Sequence, residues 1–107
     1  MKAVIFHQAA RLTLKRFPAD VRLEFGKLIF EVQCGANLSF PASRPMPSVA
    51  FGVEELRVRD ANGTYRVFYY KKSASGILVF HAFVKKTQKT PPKEIDLAQK
   101  RLRELQT

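Results

Sequence analysis

The chain has 107 residues, a formal charge of +10 and one cysteine, Cys34. That length carries a single core, so residues 1–107 are expected to form one domain with no room for a separate cofactor fold. Cys34 alone excludes an internal disulfide, His7 and His81 lie too far from it and from each other for Cys/His metal spacing, and no run reaches the roughly 18 apolar residues of a membrane span. The expectation is a cytoplasmic protein without metal or cofactor and with no membrane association through a span. Nineteen Lys and Arg against nine Asp and Glu favour a polyanion as partner, and nucleic acid, an anionic membrane or an acidic protein would each satisfy that charge.

In chain order, "KAVIF" reads as a short strand, and in the following "HQAARLTLKRF" the residues Ala10, Leu14 and Phe17 recur at helical spacing. Pro18 suits the first turn of a second helix, whose buried stripe is Val21, Phe25, Leu28, Ile29 and Val32 and whose stop is Gly35. Two helices in a hairpin are expected. The segment "ANLSFPASRPMPSVAFG" holds three prolines and no periodicity, so it reads as an irregular connection of functional length.

Three β-like runs follow, "EELRVRD", "TYRVFYYKK" and "GILVFHAFVKK". Asn62-Gly63 between the first two predicts a tight hairpin turn with positive φ, and "SASG" joins the second pair. The result is an antiparallel meander. Beyond Thr90, a plausible cap, "PPKEIDLAQKRLREL" places Ile95, Ala98, Leu102 and Leu105 on one helical face, with Lys100, Arg101 and Arg103 near the C-terminal end of the helix dipole. The predicted class is α+β: a small antiparallel sheet meander with an N-terminal helical hairpin and a C-terminal helix, all helices on one face.

Strand alternation assigns the faces. If Leu56, Val58, Leu78, Phe80, Ala82 and Val84 meet the helices, the other face collects Arg57, Arg59, His81 and Lys85, joined by Arg66, Phe68 and Tyr70. Cations among aromatic rings suit RNA, because the cations hold phosphates and the rings stack unpaired bases. Plainer readings stand beside this one: Lys85 and Lys86 as solvated edge punctuation, Arg57 and Arg66 as ordinary ion pairs with Glu54, Glu55 or Asp60, His81 as a structural residue, and the tyrosines as packing.

On "SRPMPS", "EELRVRD", "YRVFYY" and "LVFHAFVKKTQKTPPKEIDLAQKRL", which cover most of Ser43 to Leu102, the chain resembles the RelE/HigB toxin superfamily and, within it, the phage-related, HigB-like branch. The resemblance implies a RelE-like fold and the toxin of a type II toxin–antitoxin pair. It implies a ribosome-dependent mRNA endonuclease, working without metal by attack of the RNA's own 2′-hydroxyl, with mRNA, the ribosome and a cognate antitoxin of helix-turn-helix type as partners. The residues it points to for catalysis are Arg57, Arg66, Lys85, Lys86 and His81, with Arg59, Tyr70 and Lys89 for RNA binding. Two alternatives remain open here: a ParE-like toxin with a target such as gyrase, and a non-catalytic RNA- or ribosome-binding module.

Overall fold

The computed structural model describes residues 1–85 and 89–107. The elements are β1 (Val4–Phe6), α1 (Gln8–Lys15), α2 (Ala19–Gln33), β2 (Ser43–Pro45), β3 (Val53–Asp60), β4 (Gly63–Ser73), β5 (Gly76–Lys85) and α3 (Pro92–Gln106). The expected meander is β3, β4 and β5, all antiparallel. Two short strands widen it into a five-stranded sheet of order β1-β5-β4-β3-β2: β1 joins β5 in parallel and β2 joins β3 antiparallel. The class is therefore α+β as expected, and the sheet is mixed.

β2 lies inside the stretch read as irregular, where a three-residue strand containing a proline leaves no pattern to detect. β1 is possible because of Gly76, at φ +137: a Cβ there would stand 2.5 Å from the Ala3 carbonyl oxygen, to which Ile77 N–H donates at 2.8 Å. The first hairpin differs from expectation in detail. Asp60 pairs with Gly63, so the tip is Ala61–Asn62, and the positive φ is carried by Gly63 after it.

Helices cover both faces of the sheet, not one. Phe17 from the turn after α1 and Val21, Phe25 and Val32 of α2, with Leu14 of α1 beside them, pack on Leu56, Tyr65, Val67, Tyr69, Ile77, Val79 and Ala82. Ala98 and Leu102 of α3, with Met46 and Val49 of the loop, pack on Val53, Phe68, Leu78, Phe80 and Phe83. The cause was already present in "GILVFHAF", which is a continuous apolar run and not an alternation, the mark of a strand buried on both sides.

A bulge sets which side each residue of β5 takes. Phe68 is paired with His81 but Tyr69 with Val79, so Phe80 is an extra residue. Ile77 and Val79 meet the α1/α2 core, while Leu78 and Phe80 meet the α3 core. After the bulge the parity reverses, which turns Ala82 to the first core and Phe83 to the second. The row Leu78, Phe80, Ala82, Val84 expected on one face is thus split.

α2 ends as predicted, with Gly35 at φ +97 after Cys34. α3 starts differently: Pro91 is the N-cap, Pro92 opens the helix, and the Thr90 hydroxyl is no cap but an acceptor for Lys85 Nζ at 3.4 Å.

Candidate nucleic-acid interface

The register of the meander brings the polar residues of the α3 face into three lateral rows. Arg44 stands opposite Glu55, Glu55 opposite Phe68, and Phe68 opposite His81. Next come Arg57, Arg66 and Phe83, and then Arg59, Thr64 and Lys85. Arg57, Arg59, Arg66, His81 and Lys85 therefore do share one face, as strand alternation predicts.

At the centre is a carboxylate. Glu55 is 0% exposed, and its Oε1 accepts from Arg66 Nη1 at 2.7 Å and from Arg44 Nε at 2.9 Å. Arg57 Nε stands 3.5 Å from the same oxygen, without hydrogen-bond geometry. One anion thus holds three guanidinium groups together, which two directly opposed arginines on neighbouring strands could not tolerate alone. The anion does not saturate them. Among the described residues, Arg57 Nε, Arg66 Nε and Glu55 Oε2 have no hydrogen-bond partner. Burial, followed by the charges of Arg66 and Arg44, lowers the Arg57 pKa, and a guanidinium remains charged through such a shift.

The cluster opens on a groove of about 720 Å³ at the exposed margin of β3. Its lining includes Arg44, Arg57, Arg59 and Arg66, with Phe40 and, from α2, Glu24 and Leu28. Four arginines against Glu24 and the buried Glu55 leave an excess of positive charge, which is the requirement for holding phosphate.

Lys85 lies at the end of the third row, 6% exposed. Burial first and then the charge of Arg66 lower its pKa to about 8, with Glu55 pulling the other way. A lysine in that range exchanges protons close to neutral pH, which an ordinary lysine does not.

His81 is 2% exposed and uses both ring nitrogens. Arg101 has only donors, so its Nη1 donates to Nδ1 at 2.9 Å; the ring proton is then on Nε2, which donates to Glu94 Oε1 at 2.7 Å. Burial, the leading cause, lowers the His81 pKa and keeps the ring neutral. The ring also lies 5.6 Å from that of Phe68 and 5.3 Å from that of Phe83. His81 thereby ties α3 to the sheet. At the far end of α3 the same arrangement recurs with His7, whose Nδ1 accepts from Ala9 N–H at 3.2 Å and whose Nε2 donates to Glu104 at 2.7 Å.

Of the remaining predicted residues, Arg59 is exposed and lines the groove, and Lys89 is exposed beside α3. Tyr70 packs against the α3 core, and a Cβ on Gly52 would stand 3.0 Å from its Cε1, so packing is the role its surroundings support. Lys86 lies outside the described residues. Sequence reading missed Arg44, the part played by Glu55, and Phe40, because Arg44 and Phe40 sit in a segment without periodicity and Glu55 looks like any solvent-facing glutamate until β2 covers it.

The family model described as phage derived protein Gp49-like (DUF891) matches residues 13–103, from within α1 almost to the end of α3. No curated protein matches the chain.

Proposed function

Because the chain belongs to the Gp49-like family of phage-derived proteins, we propose that it is the toxin of a type II toxin–antitoxin pair and an endoribonuclease that cuts mRNA on the ribosome. The observation that carries this reading is the Glu55 cluster: three guanidinium groups gathered by one carboxylate at the wall of an open groove, with a lysine of pKa about 8 in the same charge field.

In this reading Arg57 and Arg44 hold the non-bridging oxygens of the scissile phosphate, and Arg66 positions Glu55 and adds its field. Arg59 and Lys89 hold neighbouring phosphates. The 2′-hydroxyl attacks phosphorus as its proton passes to water. The bond to the 5′-oxygen breaks, and the Lys85 ammonium gives that oxygen a proton. The products are a 2′,3′-cyclic phosphate and a 5′-hydroxyl. Arginine suits the charged intermediate because its planar fork of donors fits phosphate oxygens. His81 takes no step, since both its nitrogens serve the attachment of α3, and Lys86 is assigned none. A +10 toxin with a basic groove would be neutralised by an antitoxin that presents an acidic segment.

The test is expression in a growing bacterial culture, with primer extension on translated mRNA and chemical mapping of the new ends. Growth arrest with cyclic-phosphate ends is expected from the wild-type chain, and neither from Arg57→Ala. Arg66→Ala, which sequence alone would make the natural companion, is unsuitable: it deprives a buried carboxylate of its closest partner and risks unfolding. Arrest with intact mRNA would instead direct attention to a target such as gyrase, and salt-dependent RNA binding without cyclic ends to a binding module.

A further inference from the structure

The phosphate chemistry leaves one prominent wall of the groove without a use, the ring of Phe40. It is 67% exposed. Arg57 Cζ lies 5.0 Å from the ring centroid, so the cation of the phosphate cluster rests on one face of the ring. The same ring lines the groove that Arg44, Arg57, Arg59 and Arg66 also line. An aromatic ring held by a cation at the mouth of a cationic groove is the arrangement that receives an unpaired base while its phosphate is held alongside. Bases within a duplex have no such face to offer.

We propose that Phe40 is a stacking platform for an unpaired nucleobase next to the phosphate held by the arginines, and that the groove therefore takes single-stranded nucleic acid. This rests on the phosphate-binding reading of the groove but not on cleavage. A second exposed phenylalanine supplies a control: Phe51 is 89% exposed with Lys72 Nζ at 5.8 Å from its ring, but it lines a different concavity, with Pro45, Pro47, Glu54 and Lys71. Exposure and a nearby cation are common to both rings; only Phe40 adjoins the arginine cluster.

The chain contains no tryptophan, so Phe40→Trp creates a single tryptophan that can be excited at the red edge of absorption, apart from the three tyrosines. The full-length protein is titrated with a single-stranded 2′-O-methyl oligonucleotide, which cannot be cleaved, and with the corresponding duplex. Saturable quenching by the single strand is expected for Phe40→Trp, and none for Phe51→Trp. Removal of one stacked base partner weakens binding roughly 5- to 150-fold, so Phe40→Ala and Phe40→Leu should lose affinity in that range while Phe40→Tyr keeps it. Thermal melting of Phe40→Ala should match wild type, since an exposed ring contributes little to the core. Equal affinity of Phe40→Ala, equal quenching at Phe51→Trp, or a duplex as effective as the single strand would each overturn the proposal. So would a response to polyglutamate with none to the oligonucleotide. The nuclease reading fails separately: quenching without cleavage of any mRNA removes that reading and leaves the platform, whereas cleavage unaffected by Phe40→Ala with unchanged affinity removes the platform alone.

Discussion

Two polar clusters occupy the same face of the sheet, centred on Glu55 and His81 at opposite sides of Phe68 in one lateral row, and differ in how completely their hydrogen bonds are used. In the His81 cluster each ring nitrogen has one partner, Arg101 or Glu94, and α3 closes over the ring. Around Glu55 three guanidinium groups share one carboxylate oxygen, two of their Nε atoms stay without a hydrogen bond, and the margin of the sheet is open. Buried polar networks that satisfy every member specify and hold a structure; those that do not are sites where a ligand can complete the set. In the proposed reading the first cluster attaches α3 and the second binds, whereas the sequence offered His81 beside Arg57, Arg66, Lys85 and Lys86 as a catalytic residue.

The largest effect that would sharpen this contrast is expected on turnover. Lys85→Met should lower cleavage of mRNA by about 10²–10⁴-fold, the range of a lost general acid, with a circular dichroism spectrum like wild type. The Lys85 ammonium is the active form in this scheme, so the wild-type rate should fall as pH rises through about 8, and Lys85→Arg should abolish that limb. A Lys85→Met protein as active as wild type would remove the acid role.

Next in size is Glu55→Gln. It leaves Arg57 and Arg66 facing each other across β3 and β4 without a counter-charge, and loss of one member of a buried ionic set costs about 3–5 kcal/mol. Urea unfolding should register it as a lower midpoint. A smaller change is expected for Glu94→Gln, about 1–3 kcal/mol from the hydrogen bond it removes from His81, with cleavage per folded molecule retained. Retained stability with lost cleavage would exchange the roles of the two clusters.

The smallest effect is a pH dependence of stability. The folded-state pKa of His81 lies below its ordinary 6.5, so the unfolded chain binds this proton more readily. The contribution is intact above 6.5 and declines as pH falls. Glu104, held below its ordinary 4.5 first by the hydrogen bond from His7, adds a loss of the same sign at lower pH. The Tm should therefore drop by a few degrees from pH 7 to 5, and the drop should shrink in His81→Gln.

Much of this architecture was legible locally. Val21, Phe25 and Val32 announced α2, Gly35 its end, Ala98 and Leu102 the buried stripe of α3, and alternation placed Arg57, Arg59 and Arg66 together. The phage-related character implied by the resemblance of the strand and helix runs is in line with the Gp49-like family match over residues 13–103, and the α+β class with the structure. Short-range signals failed where a partner distant in sequence decided the outcome. β2 is only three residues long and is defined by its pairing with β3; the tip of the first hairpin lies one residue earlier than read, with Asp60 paired to Gly63, whose missing side chain leaves room for the Lys85 carbonyl. A single extra residue, Phe80, reversed the parity of β5.

Periodicity, turn chemistry and charge are properties of neighbouring residues, and they determined the class, the helices, the meander and the excess of basic residues. What a charged side chain does depends on which others fold against it. Only the tertiary structure could enclose Glu55, gather Arg44 to Arg57 and Arg66, bury Lys85 far enough to bring its pKa to about 8, and commit His81 to α3. Desolvation and hydrogen-bond satisfaction are set by contacts across strands, and those contacts separate the open cationic groove from the closed histidine clamp beside it.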